Sequence, residues 1–337
     1  MTQPLISVKD LTIRFRTDEG LVTAVEDVSF DINPGEVMGL VGESGSGKSV
    51  TAKALMRLNA GNTHYDPKSK IMLNLPDGQV DVFSLKRDRD MRVVRGGAVS
   101  MIFQEPMASF APAISVGEQM VEQLLIHTDL TKAGARDLSI EMLDRVGIPD
   151  AARRFDQYAF EFSGGMRQRA MIAMALSTRP RLLIADEPTT ALDVTIQAQV
   201  LDLMKDLVRE FGMAILFITH DLGVIAQTAD KVAVMYLGRI VEKGTVRQVI
   251  RDPKHPYTQG LINALPKLED LSAHLTPVPG DIPSPLDRPK GCVFHTRCPV
   301  AIKGTCDRDV PQFTDIPGGR TVACHVAAAR ETEGAAG

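Results

Sequence analysis

A glycine-rich segment near the start of the chain constrains the fold more than any other feature. Gly42 to Ser49 read GESGSGKS and match the phosphate-loop pattern G-x-x-x-x-G-K-[ST] at every fixed position. The apolar run Val37–Val41 before it predicts a strand, and a helix is predicted from Lys48 to about Leu58. A strand, a glycine-rich turn and a helix N-terminus surround phosphate oxygens with backbone N–H groups. Lys48 would then bind the β- and γ-phosphates, and the Ser49 hydroxyl would ligate Mg²⁺.

Two acids that end another apolar run supply the expected second half of a phosphate-transfer site. The run Leu182–Ala185 predicts a buried strand and is followed directly by Asp186 and Glu187. Asp186 is placed to hold Mg²⁺, usually through water, and Glu187 to orient and activate an attacking water. Upstream, Ser163–Gly165 opens an apolar helix that continues to Leu176. Its bare backbone at a helix N-terminus predicts a second anion site.

These segments, in their order along the chain, resemble the ATPase domain of ABC transporters. The order is phosphate loop, Gln104, Ser163–Gly165, Asp186–Glu187, Asp193 and His220. In that family two ATPase domains pack head to tail, and each ATP lies between one domain's phosphate loop and the other's Ser-Gly-Gly signature. The resemblance implies that Gln104 contacts Mg²⁺ and signals to transmembrane subunits, that Asp193 communicates across the dimer, and that His220 contacts the γ-phosphate.

The resemblance also implies a full set of site residues. Glu187 and His220 take the catalytic roles, and Phe15 stands where the family has an aromatic that stacks on adenine. The ATP-binding set is Phe15, Gly42, Glu43, Ser44, Gly45, Ser46, Gly47, Lys48, Ser49, Gln104 and Asp186, of which Ser49, Gln104 and Asp186 hold Mg²⁺. The signature residues that contact the partner's ATP are Ser163, Gly164, Gly165 and Met166.

Four further segments resemble the peptide-importer branch of the family. They are Ser163–Arg169, Thr189–Thr195, Gln104–Ser109 and the motif HPYTQGL at His255–Leu261, which marks the dipeptide, oligopeptide and nickel group. The chain departs from the family pattern at two places. Phe162 replaces the usual leucine before the signature, and Phe110-Ala111-Pro112 replaces Leu-Asn-Pro.

The branch implies a set of partners and a substrate class. Met166 in the signature indicates one of two related ATPase subunits, whose partner carries glutamine there. Two membrane-spanning subunits and an extracytoplasmic binding protein would complete an importer of di- or oligopeptides. Nickel, opine or oligosaccharide import by the same architecture stays open, because substrate contacts lie in other subunits. A non-transport ABC ATPase is the alternative of another kind, but it would need a coiled-coil insertion or a second fused ATPase domain.

All four cysteines lie in the last 46 residues, at Cys292, Cys298, Cys306 and Cys324. A cysteine set in a short, proline-flanked segment suggests a metal that contributes folding energy, either structural Zn²⁺ or a [4Fe–4S] cluster. The spacing lacks the close C-x₂-C pairs of zinc ribbons, which favours iron–sulfur, and the resemblance points the same way. His295 and His325 are possible substitutes expected to lie outside the ligand set.

The overall pattern predicts an α/β fold, since strands and helices alternate as in a parallel sheet covered by helices. We expect an ABC ATPase domain over 1–250 with a helical subdomain near 105–176, an accessory domain over 251–330 and a disordered tail at 331–337. The net charge of −4 gives no footprint for nucleic acid. No apolar stretch is long enough to span a bilayer. The expected location is therefore the cytoplasmic face of the inner membrane, reached through partners.

Overall fold

The structure is a computed structural model that describes residues 3–105, 109–188, 194–265 and 278–335. The strands, in chain order, are β1 Ile6–Thr17, β2 Gly20–Ile32, β3 Val37–Val41, β4 Thr63–Tyr65, β5 Lys70–Leu75, β6 Gly78–Asp81, β7 Val99–Ile102, β8 Leu182–Asp186, β9 Ala214–Thr219, β10 Lys231–Tyr236, β11 Arg239–Thr245, β12 Thr314–Ile316 and β13 Arg320–Val322. The α-helices are α1 Lys48–Leu55, α2 Val116–His127, α3 Lys132–Arg145, α4 Ala151–Arg154, α5 Gly164–Ser177, α6 Val194–Phe211, α7 Leu222–Thr228, α8 Val246–Arg251, α9 Pro256–Asn263 and α10 His325–Ala335. Short 3₁₀ turns lie at Asp90–Val93, Ala159–Glu161 and His295–Arg297.

The chain divides into two compact units. One, here the helical unit, consists of Met1–Leu5, Ile32–Glu36 and Leu73–Phe217, and the other, here the phosphate-loop unit, of Ile6–Asp31, Val37–Met72 and Ile218–Gly337. In the helical unit, β7 and β8 pair in parallel, and every residue of β8 is buried. Helices α2, α3 and α5 pack on one another. These helices fall in the region near 105–176 for which the sequence predicts a helical subdomain, and the bounds of that subdomain stay a prediction.

The phosphate-loop unit contains a mixed sheet whose strand order is β12-β13-β11-β10-β3. Strand β10 pairs in parallel with β3 and antiparallel with β11. The small strands β12 and β13 extend the sheet beyond β11, and α10 packs a small core of Ile316, Val322, Cys324 and Ala327 beside them. The cysteine-bearing segment therefore shares a compact unit with the phosphate loop. The domain boundaries at residues 250 and 330 stay predictions from the sequence.

The first two strands are long, and each contains a bend. Strand β1 runs through Asp10 and β2 runs through Asp27, although both residues have left-handed backbones, with φ of 50° and 52°. A hydroxyl group on the other strand of the pair stabilises each bend. The N–H of Asp10 donates to Ser29 Oγ at 2.9 Å, and the N–H of Asp27 donates to Thr12 Oγ1 at 3.0 Å. Aspartate tolerates this conformation better than most residues do, so the chain bends without ending the strand.

Helix ends differ from the prediction in two places. Helix α1 stops at Leu55 rather than near 58, because Arg57 takes a left-handed conformation with φ of 49°. Helix α10 continues to Ala335, although we expected no regular structure after residue 330. Alanine and glutamate, which dominate this segment, are among the better helix formers. Within the described ranges, no helix has both the length and the apolarity that crossing a membrane requires.

Candidate functional site

The phosphate loop has the predicted strand–loop–helix setting. It leaves β3 at Val41 and enters α1 at Lys48. Gly45 and Gly47 have φ of 77° and 100°, and a Cβ on Gly47 would lie 2.7 Å from the Ala24 carbonyl oxygen. A side chain at Gly47 is therefore excluded both by backbone conformation and by space. The N–H of Gly238, in the β10–β11 turn, donates to Ser46 O at 2.8 Å and ties the loop to that turn.

Lys48 lies inside this loop and is 5% exposed. Its ammonium donates to the carbonyl oxygens of Gly42 at 2.8 Å and Glu43 at 2.9 Å. Thr51, one turn later in α1, donates through its hydroxyl to Gly47 O at 2.9 Å. The positive charge is thus held at the centre of a ring of backbone groups, where an anion bound by the loop would meet it.

The two acids lie at the carboxyl end of β8, in the helical unit. Asp186 is the last residue of the strand and is 2% exposed. Glu187 has a left-handed backbone with φ of 47°. Gln104 donates through Nε2 to Glu187 Oε2 at 3.2 Å, so the structure brings together two predicted site residues that are 83 positions apart. The left-handed backbone of Glu187 redirects the chain immediately after the buried strand.

Gln168 is a residue of this region that the sequence analysis did not assign. It lies in α5, five residues after Ser163, and is 4% exposed. Its Nε2 donates to the carbonyl of Pro188 at 2.5 Å, which fixes the chain immediately after Glu187. A polar residue on the buried face of an apolar helix was the signal that could have identified it.

The signature segment forms a capped helix N-terminus, also in the helical unit. Ser163 is the N-cap of α5, and its Oγ accepts from the N–H of Met166 at 3.3 Å. A Cβ on Gly164 would have no heavy atom within 4 Å, so the first turn is open on that side. Phe162 is buried at 2% exposure, as expected for an apolar replacement of the usual leucine.

The predicted site residues as a whole are distributed over both units. His220 follows β9 and is exposed, and Phe15 is half-buried in β1, where it pairs with Thr63 of β4. Both belong to the phosphate-loop unit, whereas Gln104, Asp186, Glu187 and the signature belong to the helical unit. Asp193 lies outside the described residues.

The cysteine segment does not form the predicted metal site as a ready ligand set. Among the described residues, which include all four cysteines, no group of three or more His, Cys, Asp and Glu side chains is arranged to hold a metal ion. Burial raises the pKa of Cys292 to about 11, and the charges of Cys298, Cys306 and Cys324 add to this. Metal binding needs the thiolate, which this environment disfavours.

Nearby backbone groups also engage the candidate ligands. Cys306 Sγ accepts from the N–H of Ile302 at 3.3 Å. His295 Nδ1 lies 2.9 Å from Cys292 O, and His325 Nε2 lies 2.9 Å from Asp309 O. Each imidazole thus has a carbonyl oxygen as a hydrogen-bond partner, and their place outside the ligand set stays a prediction.

Two family models match the chain. The model described as ABC transporter matches residues 25–190. The model described as Oligopeptide/dipeptide transporter, C-terminal region, matches residues 241–306. The first match spans the phosphate loop, the signature and the Asp-Glu pair, and the second spans the HPYT motif and three of the cysteines.

Similar proteins cover almost the whole chain. The oligopeptide transport ATP-binding protein OppD of Salmonella typhimurium is 49% identical over 324 residues, which are 95% of this chain and 93% of that protein. OppD of Haemophilus influenzae is 47% identical over 96% of this chain and 98% of its own. A peptide import ATP-binding protein of Brucella melitensis is 48% identical over 93% and 94%.

Solved structures support the fold. The ATP-binding cassette MJ0796, in a dimeric post-hydrolysis state bound to ADP and Pi, aligns with a TM-score of 0.62 at 23% identity. It covers 72% of this chain and 99% of its own length. Fold and site together define an ABC-type ATPase, an enzyme that couples ATP hydrolysis to transport. Within that class, the chain belongs to the oligopeptide/dipeptide family of ABC transporter ATP-binding proteins.

Proposed function

We propose that this chain hydrolyses ATP to drive the import of di- and oligopeptides across the inner membrane. The observation that carries the proposal is the combination of a complete phosphate loop with the C-terminal region of the oligopeptide/dipeptide family on one chain. The named relatives are oligopeptide transport and peptide import proteins. Their likeness extends over both matched regions, so it includes the C-terminal segment as well as the ATPase domain.

The proposed chemistry assigns one task to each group. The phosphate-loop residues Gly42–Ser49 bind the ATP phosphates, and Phe15 stacks on adenine. Gln104, Asp186 and Ser49 would hold Mg²⁺, which would neutralise charge at the transferred phosphoryl group. Glu187 accepts a proton from the attacking water. The hydrogen bond from Gln104 to Glu187 supports this role, because it orients the carboxylate.

Other proposed tasks concern the γ-phosphate and a second ATPase subunit. His220 contacts the γ-phosphate, and Asp193 communicates between the subunits. Ser163, Gly164, Gly165 and Met166 contact the ATP bound to the partner. The open, capped N-terminus of α5 supports this, since free N–H groups and the helix dipole favour a phosphate there.

The proposed partners follow from the family. They are a homologous ATPase subunit that forms a heterodimer with this chain, two membrane-spanning permease subunits and an extracytoplasmic binding protein. The chain would sit peripherally on the cytoplasmic face of the membrane, held by the permeases. Nickel, opine or oligosaccharide import remains the alternative within this architecture, because substrate contacts lie in the partner proteins. A non-transport role has no observation in its favour.

We further propose that Cys292, Cys298, Cys306 and Cys324 hold a [4Fe–4S] cluster, with Zn²⁺ as the alternative. Their charges act on one another, as the raised pKa of Cys292 indicates. Bringing four thiolates together is unfavourable without a cation, so a metal would remove this repulsion and tie the segment together. The proposal requires side-chain movement from the arrangement described above.

Metal analysis of the full-length chain tests the cysteine proposal. Protein purified without oxygen should contain iron and acid-labile sulfide and show the broad visible absorption of a cluster. Zinc without sulfide would favour the alternative. If the protein contains neither iron nor zinc, the four thiols are free, and both the [4Fe–4S] and the Zn²⁺ proposals are contradicted. A Cys298→Ser variant should lose the metal, whereas the neighbouring variant Thr296→Ser should keep it.

Peptide uptake by cells tests the proposed transport function. Cells lacking this chain should fail to take up labelled di- and oligopeptides, and the wild-type chain should restore uptake. The Lys48→Ala variant should not restore it, because the phosphate loop loses its buried cation. Restored uptake of nickel, opines or oligosaccharides but not of peptides would contradict the substrate and leave the ATPase assignment in place.

A further inference from the structure

The second residue of the phosphate loop is bound by a distant part of the chain. Glu43 carries the loop's carboxylate, and Arg297 of the cysteine segment forms a two-point ion pair with it, at 2.7 Å from Nη1 to Oε2 and 3.2 Å from Nη2 to Oε1. The two residues are 254 positions apart but belong to the same compact unit. Charge-assisted, two-point pairs of this kind are among the strongest side-chain contacts in proteins.

Arg297 is built into the fold rather than lying on the surface. Its side chain is 3% exposed. Nε donates to Pro279 O at 2.9 Å, Nη2 also donates to Val278 O at 3.0 Å, and Nη1 lies 3.4 Å from the Tyr236 hydroxyl. Together with the two bonds to Glu43, these contacts equal in number the five N–H groups that a guanidinium offers. The charge is therefore fully engaged and held in one orientation.

Tyr257 binds the backbone of the same residue. Its hydroxyl accepts from the N–H of Glu43 at 2.9 Å. The ring is buried and packs against Tyr236 and Phe294, with centroids 4.7 and 5.4 Å apart. Tyr257 is the third residue of the HPYT motif. The sequence alone did not indicate that this motif contacts the phosphate loop.

A buried hydrogen-bond network places Tyr257. His255 caps α9 by accepting the N–H of Tyr257 at Nδ1, at 3.1 Å. Glu242, fully buried in β11, accepts the N–H groups of Lys254 and His255, each at 2.9 Å. The motif thus forms a rigid turn that presents the tyrosine hydroxyl to the loop.

We propose that Arg297 and Tyr257 are positioning residues for nucleotide binding, which hold Glu43 so that the loop is preformed and the Glu43 carboxylate is neutralised. The proposal rests on the proposed ATP site. A carboxylate within a phosphate loop repels the phosphates unless a cation compensates its charge. Arg297 supplies that cation, and Tyr257 fixes the peptide group where the loop begins to curve. The family's C-terminal region therefore completes the nucleotide site of its own chain.

Binding of MgADP to the full-length chain tests this, because MgADP is not hydrolysed. We expect Arg297→Ala to weaken binding by about tenfold or more, since it leaves Glu43 unpaired. Adding Glu43→Gln should restore affinity to within about threefold of wild type, because the repelling charge is gone. Tyr257→Phe, which keeps the ring, should weaken binding about threefold. In ATP turnover, these variants should raise KM more than they lower kcat.

Controls separate this role from a purely structural one. Arg320 is also a buried arginine of the C-terminal region, but it pairs with Asp252, so Arg320→Ala should bind MgADP as wild type does. If Arg297→Ala does not fold, Arg297→Gln with and without Glu43→Gln serves the same comparison. Wild-type affinity in a folded Arg297 variant would overturn the proposal. A loss that Glu43→Gln does not restore would also overturn it, since it would indicate structural damage alone.

The Lys48→Ala variant distinguishes a failure of the proposed phosphate site from a failure of the positioning role alone. Lys48→Ala should abolish MgADP binding. Wild-type binding by Lys48→Ala would refute the phosphate site and the positioning role with it. Loss in Lys48→Ala together with wild-type binding in Arg297→Ala would refute only the positioning role.

Discussion

At the scale of single residues, His255 illustrates how burial turns a titratable group into a neutral helix cap. The ring is 1% exposed, and Nδ1 must be unprotonated to accept the N–H of Tyr257. Burial lowers the pKa of His255 to about 3. In the unfolded chain the pKa would be near 6.5. Between these two pKa values, the His255 ring is therefore protonated in the unfolded state and neutral in the folded state.

The sign of the resulting pH dependence follows directly. The contribution of His255 to stability is fully present above about pH 6.5 and is lost as the pH falls toward about 3, at roughly 1.4 kcal/mol per pH unit. The variant His255→Asn keeps a capping acceptor but has no titratable ring. We expect its free energy of unfolding to depend less on pH than that of the wild type.

Urea unfolding at several values between about pH 7 and pH 5 measures this difference. Other groups, such as the Glu26 carboxylate, titrate in both proteins and cancel in the comparison. Parallel pH profiles for the two proteins would contradict the assignment of a neutral, buried cap.

At the scale of elements, the N-terminus of α5 combines a structural cap with the proposed phosphate contact, and two substitutions separate them. Ser163→Ala removes the acceptor for the Met166 N–H and should cost about 1 kcal/mol of stability. Ser163→Asp preserves the cap and suits the helix dipole, but its charge repels a phosphate. We expect the aspartate variant to melt like wild type while ATP hydrolysis by the importer falls at least about tenfold. Hydrolysis at the wild-type rate by Ser163→Asp would show that this terminus does not face ATP.

Helix packing in the helical unit depends on a glycine with no room for a side chain. Gly117 in α2 lies against Phe155, and a Cβ at Gly117 would overlap the ring. We expect Gly117→Ala to destabilise the protein by about 1–3 kcal/mol through overpacking.

Gly134 in α3 provides the matched control for that substitution. A Cβ there would lie 3.5 Å from Thr131 Oγ1 and 3.6 Å from Leu130 Cδ2, which is ordinary contact. Gly134→Ala should therefore stabilise by about 0.5–1 kcal/mol, the usual helix preference for alanine. Thermal unfolding of both variants measures the contrast, and equal effects would argue against the described packing.

The sequence predicted elements well where local patterns determine them. The strands β3 and β8 lie where the apolar runs place them, and the phosphate loop has its strand and helix. The bends at Asp10 and Asp27 were not predictable, because hydroxyl groups of the neighbouring strand bind them. The same holds for Arg297 and Glu43, since no local pattern relates residues 254 positions apart. Contacts that depend on tertiary packing can be identified only from the structure, because no local sequence pattern encodes them.

At the scale of the whole molecule, the chain provides one ATPase subunit and depends on partners for transport. The similarity to OppD of Haemophilus influenzae covers 96% of the chain and includes both regions that the family models match. The C-terminal region lies in the same compact unit as the phosphate loop. In the positioning role proposed above for Arg297 and Tyr257, this region acts on nucleotide binding through Glu43.

The central claim is that this subunit drives peptide import by hydrolysing ATP with Glu187 as the base. The most direct measurement is phosphate release by the complete importer in membranes, with and without peptide-loaded binding protein. We expect the wild-type rate to rise with peptide. Glu187→Gln should bind ATP normally but release phosphate at least about 10²-fold more slowly. Phosphate release at the wild-type rate by Glu187→Gln, or a wild-type rate that peptide does not change, would contradict the account.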